Sequence, residues 1–278
     1  MKLLLIHTGG TIAMAPGPNG LTPKAGLLES AIAQMAKGAE VVTCAFDPLV
    51  DSAEIGPRHW NQMLDWIDAH PQLPVLLTHG TDTMAYTGAA LSQALMGSGR
   101  RVVLCGSMVP LGQGGDAEGN LRLALSSLGG EGVDLAFDGR LMPAAGLVKF
   151  DSHAADAFRS QPQYQIAPPA CRRFDNRRLA ILTLGPGLPV AALAAMLDQL
   201  DGAVLRVFGA GTIASDPALL ECLRRAVEQG KRLRAVTQCE AGGLEPGAYA
   251  AGAGLWSAGV ENGGSQTPEA ALVTVWLG

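Results

Sequence analysis

Two threonines follow two look-alike apolar runs, and a hydroxyl in that position can do nucleophilic chemistry. The chain opens Leu3-Leu4-Leu5-Ile6-His7-Thr8-Gly9-Gly10-Thr11-Ile12, and Val75-Leu76-Leu77-Thr78-His79-Gly80-Thr81-Asp82-Thr83 repeats the pattern further on. A threonine hydroxyl becomes a useful nucleophile only when a neighbouring group takes its proton. Asp82 lies directly beside Thr81, and Lys149 closes a later apolar run, so a carboxylate and an amine are both available. A neutral lysine would accept the proton. The Asp82 carboxylate favours the ammonium instead, which would orient Thr81 and stabilise negative charge. The residue types leave both roles open. Gly9, Gly10 and Gly80 allow close approach of a substrate to the backbone and leave N–H groups for an oxyanion. Ser107 adds a hydroxyl after another apolar run. Singly, each residue has a plain explanation: a turn threonine, an aspartate capping the helix that begins at Thr83, a surface lysine. Together they are informative, because a parallel sheet gathers strand carboxyl ends along one edge, where ligands bind.

Other chemistries find little support. Gly209-Ala210-Gly211 follows an apolar run, but no third glycine completes a dinucleotide fingerprint. His7 and His79 read as satisfied core histidines close to the threonines. The five cysteines are odd in number and form no CxxC pair, which argues against a metal site or a disulfide framework and for a reducing compartment. No metal or organic cofactor is called for. A net charge of −5 gives no basic footprint for nucleic acid. Arg172, Arg173, Arg177 and Arg178 read as a solvated linker rather than a binding patch. No apolar stretch reaches the ~18 residues of a membrane helix. The four straight apolar residues after Lys2 are too few for a secretory leader, so a cytoplasmic location is expected.

The elements that must position these groups alternate between strand and helix, which implies right-handed βαβ units. The low charged fraction of 16% suits buried strands under closely packed helices. Strands are predicted over 2–8, 40–46, 74–78, 101–105 and 146–150, and helices over 27–37, 57–69, 83–96 and 120–128. Pro162, Pro168, Pro169 and the arginines mark a break. A second alternation follows, with strands over 178–184, 203–208 and 234–237 and helices over 189–200, 217–229 and 268–277, the last capped by Thr267. The expected architecture is two α/β domains. A larger N-terminal one at 1–160 has a mostly parallel sheet flanked by helices; a linker at 161–178 leads to a smaller parallel-sheet domain at 179–278. Residues 14–26 hold three prolines and three glycines and read as a loop, a candidate lid beginning three residues after Thr11.

The paired segments His7-Thr8-Gly9-Gly10-Thr11-Ile12 and His79-Gly80-Thr81-Asp82-Thr83-Met84 resemble the two signature segments of bacterial-type L-asparaginases. Asp51-Ser52-Ala53-Glu54-Ile55, Gly106-Ser107-Met108-Val109-Pro110 with Asp116 and Asn120, and Val148-Lys149 resemble further segments of that family. So does Thr267-Pro268-Glu269-Ala270-Ala271. The resemblance implies hydrolysis of a side-chain amide to acid plus ammonia, with Thr11 as nucleophile and Thr81, Lys149 and Asp82 as a second, triad-like group. It implies that Ser52 and Asp82 grip the α-carboxylate and α-amino groups, with Ala53 and Gly80 beside them, and that the Ser107 carbonyl meets the amide nitrogen. It further implies a small amino-acid amide as substrate and a homodimer or homotetramer. Asn19, Gly20, Leu21 and Thr22 fall in the family's lid, with Leu21 where a tyrosine usually stands, and Ala53 replaces a polar residue. These departures motivate two alternatives: an amidase for glutamine, D-amino-acid or other small amides, and a near-inactive amino-acid sensor.

Overall fold

The computed structural model describes residues 1–18, 20–163 and 166–278. The chain divides into two compact units, one of residues 1–160 with 172–174, the other of residues 161–171 with 175–278.

The first unit is built on a six-stranded sheet. Its strands are β1 (Lys2–His7), β4 (Glu40–Ala45), β5 (Val75–Thr78), β6 (Arg101–Cys105), β7 (Gly132–Phe137) and β8 (Arg140–Pro143), in the spatial order β4-β1-β5-β6-β7-β8. All neighbours are parallel except β7 and β8, which form an antiparallel hairpin. A strand buried on both faces needs no polar alternation, and Leu3, Leu4, Leu5 and Ile6 are all fully buried. On one face α1 (Leu27–Met35) and α4 (Ala117–Ser126) share a core with Leu3, Leu5, Leu76 and Val103. α2 (Pro57–Ala69) buries Trp60, Met63, Leu64 and Ile67, one stripe at helical spacing. α3 (Met84–Ala94) is small-residue-rich and nearly all buried. Chain order runs outward from β1 to β4 on one side and through β5, β6 and β7 on the other. The switch point of this doubly wound sheet therefore lies between β1 and β5, the place beyond the strand ends where such sheets bind ligands.

Two short sheets complete this unit. The glycine- and proline-rich stretch after Thr11 is a hairpin of β2 (Met14–Gly17) and β3 (Gly20–Pro23), where a loop was expected. β9 (Leu147–Lys149) pairs antiparallel with β10 (Phe158–Ser160) instead of joining the main sheet. The β7–β8 hairpin has no counterpart among the predicted strands. β7 starts at a glycine and carries Asp134, whose carboxylate answers the buried Arg101 of β6; a charge within an apolar run hides the strand.

The second unit holds the parallel sheet β11 (Leu179–Thr183), β12 (Gly202–Val207), β13 (Arg232–Thr237) and β14 (Glu261–Asn262), in that order. Helices α5 (Val190–Asp198), α6 (Pro217–Glu228), α7 (Ala253–Ser257) and α8 (Pro268–Leu277) accompany it. Leu193, Leu205, Leu223 and Leu233 lie in its core. The Thr267 hydroxyl accepts the Ala270 N–H at 3.2 Å and caps α8 as expected. The arginine cluster lies largely at the surface, as expected, but its charges are paired. Arg172 donates to the Ala94 and Met96 carbonyls, Arg173 pairs with Asp65 and Asp68, Arg177 with Asp175, and Arg178 with Asp201. Helix C-terminal carbonyls and carboxylates absorb these charges. Among the described residues no helix is long and apolar enough to cross a membrane.

Candidate functional site

The ends of β1 and β5 touch through two glycines. A Cβ on Gly10 would stand 2.5 Å from Gly80 N and 2.7 Å from Gly80 Cα, closer than any side chain tolerates. The Thr8 N–H donates to the Thr78 carbonyl at 3.2 Å, and the Val50 N–H donates to the Thr8 carbonyl at 2.7 Å. This contact brings residues 11 and 81 to the same edge. Thr11 opens a short 3-10 turn (Thr11–Ala13) and is half-buried. Among the described residues neither its N–H nor that of Thr81 has an acceptor.

Ser52 reaches this edge from the loop after β4. Asp51 caps the turn Ser52–Glu54 by accepting the Ala53 N–H at 2.8 Å. Ser52 is buried, and its hydroxyl lies 2.6 Å from the place a Gly80 side chain would occupy. The Thr83 hydroxyl donates to the Ser52 carbonyl at 2.5 Å and ties that loop to the start of α3. Ala53 is exposed, and its N–H is already spent on Asp51.

Lys149 arrives from β9. Gly88 of α3 lets the backbone at Ala144 lie directly on that helix, since a Cβ there would meet the Ala144 carbonyl at 2.8 Å. Opposite Lys149 in the ladder stands Phe158, fully buried edge-on against Phe137. The strand is thus held at both faces, and the Lys149 ammonium donates to Thr81 Oγ1 at 2.9 Å and to Asp82 Oδ1 at 2.7 Å. The lysine side chain is 17% exposed and the aspartate 68%, so the pair's carboxylate is open to solvent while its amine is largely covered. Asp82 does not cap α3; its carboxylate faces the lysine.

The end of β6 supplies Ser107, whose buried hydroxyl has no partner among the described residues. Its neighbours are braced. The Asp116 carboxylate accepts the Met108 and Val109 N–H groups, each at 2.9 Å. Asn120 donates to the Gly106 carbonyl at 2.9 Å and accepts the Asp138 N–H at 2.8 Å. Of the lid residues, Gly20, Leu21 and Thr22 lie in β3, with Leu21 47% exposed; Asn19 lies outside the described residues.

The two histidines are core residues, as their positions suggested. His7 Nδ1 meets Thr78 Oγ1 at 2.7 Å, and burial pushes its imidazole below the usual range against an opposing pull from Glu29. His79 is fully buried, and burial pushes it down to about 4, so it is neutral at pH 7. Among the described residues no His, Cys, Asp or Glu cluster is arranged to hold a metal ion.

This arrangement gathers a half-buried hydroxyl, a hydroxyl–lysine–carboxylate group and two unpaired backbone N–H donors at one switch point, a set suited to acyl transfer. The N-terminal asparaginase family model matches residues 2–175, and the glutaminase/asparaginase C-terminal domain model matches residues 178–277. The chain belongs to the asparaginase family. Relatives agree across nearly its whole length. L-asparaginase 1 of Escherichia coli K12 is 30% identical, with 98% of this chain and 89% of that protein aligned. L-asparaginase of Thermococcus kodakarensis is 32% identical, with 98% and 90% aligned. The solved structure of the Thermococcus kodakarensis L-asparaginase superposes with a TM-score of 0.85 at 31% identity, covering 100% of this chain and 92% of that one. L-asparaginase I of Vibrio cholerae superposes at 0.84 and 28% identity, covering 99% and 92%. In this asparaginase-family chain, sequence reasoning missed Thr83, Thr87 and Trp60, which hold the site from behind. A buried tryptophan needs an acceptor for its N–H; that requirement was the one signal available.

Proposed function

We propose that this protein hydrolyses the side-chain amide of L-asparagine to L-aspartate and ammonia, with Thr11 as the nucleophile. The observation that carries this reading is Lys149, joined at once to Thr81 and Asp82 on the edge that also bears Thr11. In this account the Thr11 hydroxyl oxygen adds to the carboxamide carbon, and the carbonyl oxygen becomes an oxyanion facing the unpaired N–H groups of Thr11 and Thr81. The proton that the Thr11 hydroxyl gives up ends on the amide nitrogen, the C–N bond breaks, and the nitrogen leaves as ammonia. The aspartyl ester on Thr11 is split by water held at the Thr81 hydroxyl, which Lys149 orients from behind. Asp82 offers its solvent-facing carboxylate to the substrate's α-ammonium, and Ser52 its hydroxyl to the α-carboxylate. Relatives that bear the name L-asparaginase support the substrate assignment. Assembly as a homodimer or homotetramer belongs to the same proposal, and sedimentation in solution tests it.

A second reading keeps the reaction class and changes the amide. Ala53 presents only a methyl at an exposed position beside Ser52, which leaves the grip on the substrate backbone short of a polar side chain. Ammonia release with asparagine, glutamine and D-asparagine separates the two. A clear kcat/KM advantage for L-asparagine supports the first; a higher value for either other amide replaces it with the second. Tight binding of asparagine with no ammonia would reject both in favour of a sensor.

A further inference from the structure

We propose that His79 is a positioning residue for this reaction: its ring clamps the Gly80–Thr81 peptide so that the Thr81 N–H faces the cleft. The inference rests on the hydrolase reading given above. In a trans peptide the carbonyl and the following N–H point in opposite directions. His79 Nδ1 lies 2.6 Å from the Gly80 carbonyl oxygen, which accepts only, so Nδ1 carries the proton. The other nitrogen, Nε2, is therefore an acceptor, and the Thr87 hydroxyl donates to it at 2.8 Å. Thr87 in turn accepts from Trp60 Nε1 at 3.0 Å. The donors run one way, from Trp60 through Thr87 and His79 to the Gly80 carbonyl, and every link is buried.

This chain joins α2 and α3 to one peptide of the site. His79 is itself anchored: it has no exposed surface, and its backbone N–H donates to the Cys105 carbonyl of β6 at 3.0 Å. From the other side Ser52 packs where a side chain at residue 80 would sit. With its carbonyl fastened inward, the peptide presents the Thr81 N–H outward, and that N–H meets no acceptor among the described residues. A peptide free to rotate would turn its carbonyl oxygen toward the developing oxyanion and repel it. The ring's single tautomer prevents that rotation, and the Thr87 hydroxyl selects the tautomer.

The test is steady-state kinetics on asparagine for Thr87→Val, Thr87→Ser and Trp60→Phe, with His79 imidazole nitrogens read by NMR at neutral pH. Thr87→Val is expected to lower kcat by about 10- to 100-fold, the scale of losing part of an oxyanion donor, with KM within about two-fold. Thr87→Ser, which keeps the hydroxyl, is expected to restore kcat to within a few-fold. Trp60→Phe serves if Thr87→Val does not fold, with a smaller fall of the same kind. In the unaltered protein NMR is expected to show a neutral ring protonated at Nδ1. A full kcat in Thr87→Val, a loss carried by KM alone, or a ring protonated at Nε2 would overturn the proposal. If the unaltered protein releases no ammonia, the hydrolase reading fails first, and the NMR tautomer still decides the clamp.

Discussion

Replacing Gly10 with alanine strikes the contact on which the site's assembly depends. Gly10 has φ 89° and ψ 166°, a conformation held almost only by glycine, and forcing another residue there costs about 1–3 kcal/mol. The new methyl would also lie 2.5 Å from Gly80 N and 2.8 Å from the His79 carbonyl carbon. Both are backbone atoms, so neither can rotate away; the two strand ends must separate, with an overpacking cost of about 1–3 kcal/mol. The sum, about 2–6 kcal/mol, is comparable to a large part of a domain's stability. A separation approaching 1 Å between Thr11 and Thr81 should lower kcat by about 100-fold even in molecules that stay folded. Gly97→Ala provides the control. Gly97 has φ 69° but open space around it, so it carries a backbone penalty of about 1–2 kcal/mol without the clash. Urea unfolding and ammonia release measured on both variants separate strain from displacement. Gly10→Ala matching Gly97→Ala in stability and turnover would show that the β1 and β5 ends do not meet as described.

Three further perturbations give distinct readouts. Burial lowers His79 from 6.5 to about 4, so the unfolded chain binds a proton that the folded chain refuses between those values. Stability should therefore fall as pH drops below about 6.5, by about 1.4 kcal/mol per unit and about 3 kcal/mol in all. His7 and His59 are lowered too and act in the same direction. Urea melts at pH 7 and pH 5 check the sign, and a protein more stable at pH 5 would contradict it. Asn120→Ala leaves the buried Gly106 carbonyl and the part-buried Asp138 N–H without their side-chain partner. It should cost about 2–4 kcal/mol, and a change under about 0.5 kcal/mol in the same melts would refute the bracing role. Lys149→Met keeps the stem and removes the ammonium. Because Asp82 is mostly exposed, stability should change by no more than about 1 kcal/mol. kcat should fall at least ~100-fold, and retained turnover would remove Lys149 from the account.

The parts of this fold legible in the sequence are those where burial is uniform. β1, β5 and β6 each carry a run of three or four consecutive apolar residues, followed within a few residues by glycine, and Pro57 and Trp60 mark α2 plainly. The threonines after β1 and β5 could be placed because a parallel sheet needs only its strand order to bring them together. Elements whose local composition opposes the tertiary outcome are hidden in the sequence. β7 carries a charge answered by an arginine on a neighbouring strand, a pairing with no sequence spacing. β2 and β3 contain prolines and pair only with each other, so they look like loop. Lys149 was expected at the end of a main-sheet strand, yet it comes from a separate two-stranded ribbon that Phe158 anchors. Thr87 sits among apolar residues of α3, where one hydroxyl gives no hint of the histidine it orients.

The most direct measurement is ammonia release from L-asparagine by Thr11→Ala, set against the unaltered protein at matched folded fraction. Loss of the attacking hydroxyl should cut kcat by at least ~1,000-fold while substrate still binds. A Thr11→Ala protein that turns over asparagine at the unaltered rate would mean that the half-buried hydroxyl at the end of β1 is not the attacking group.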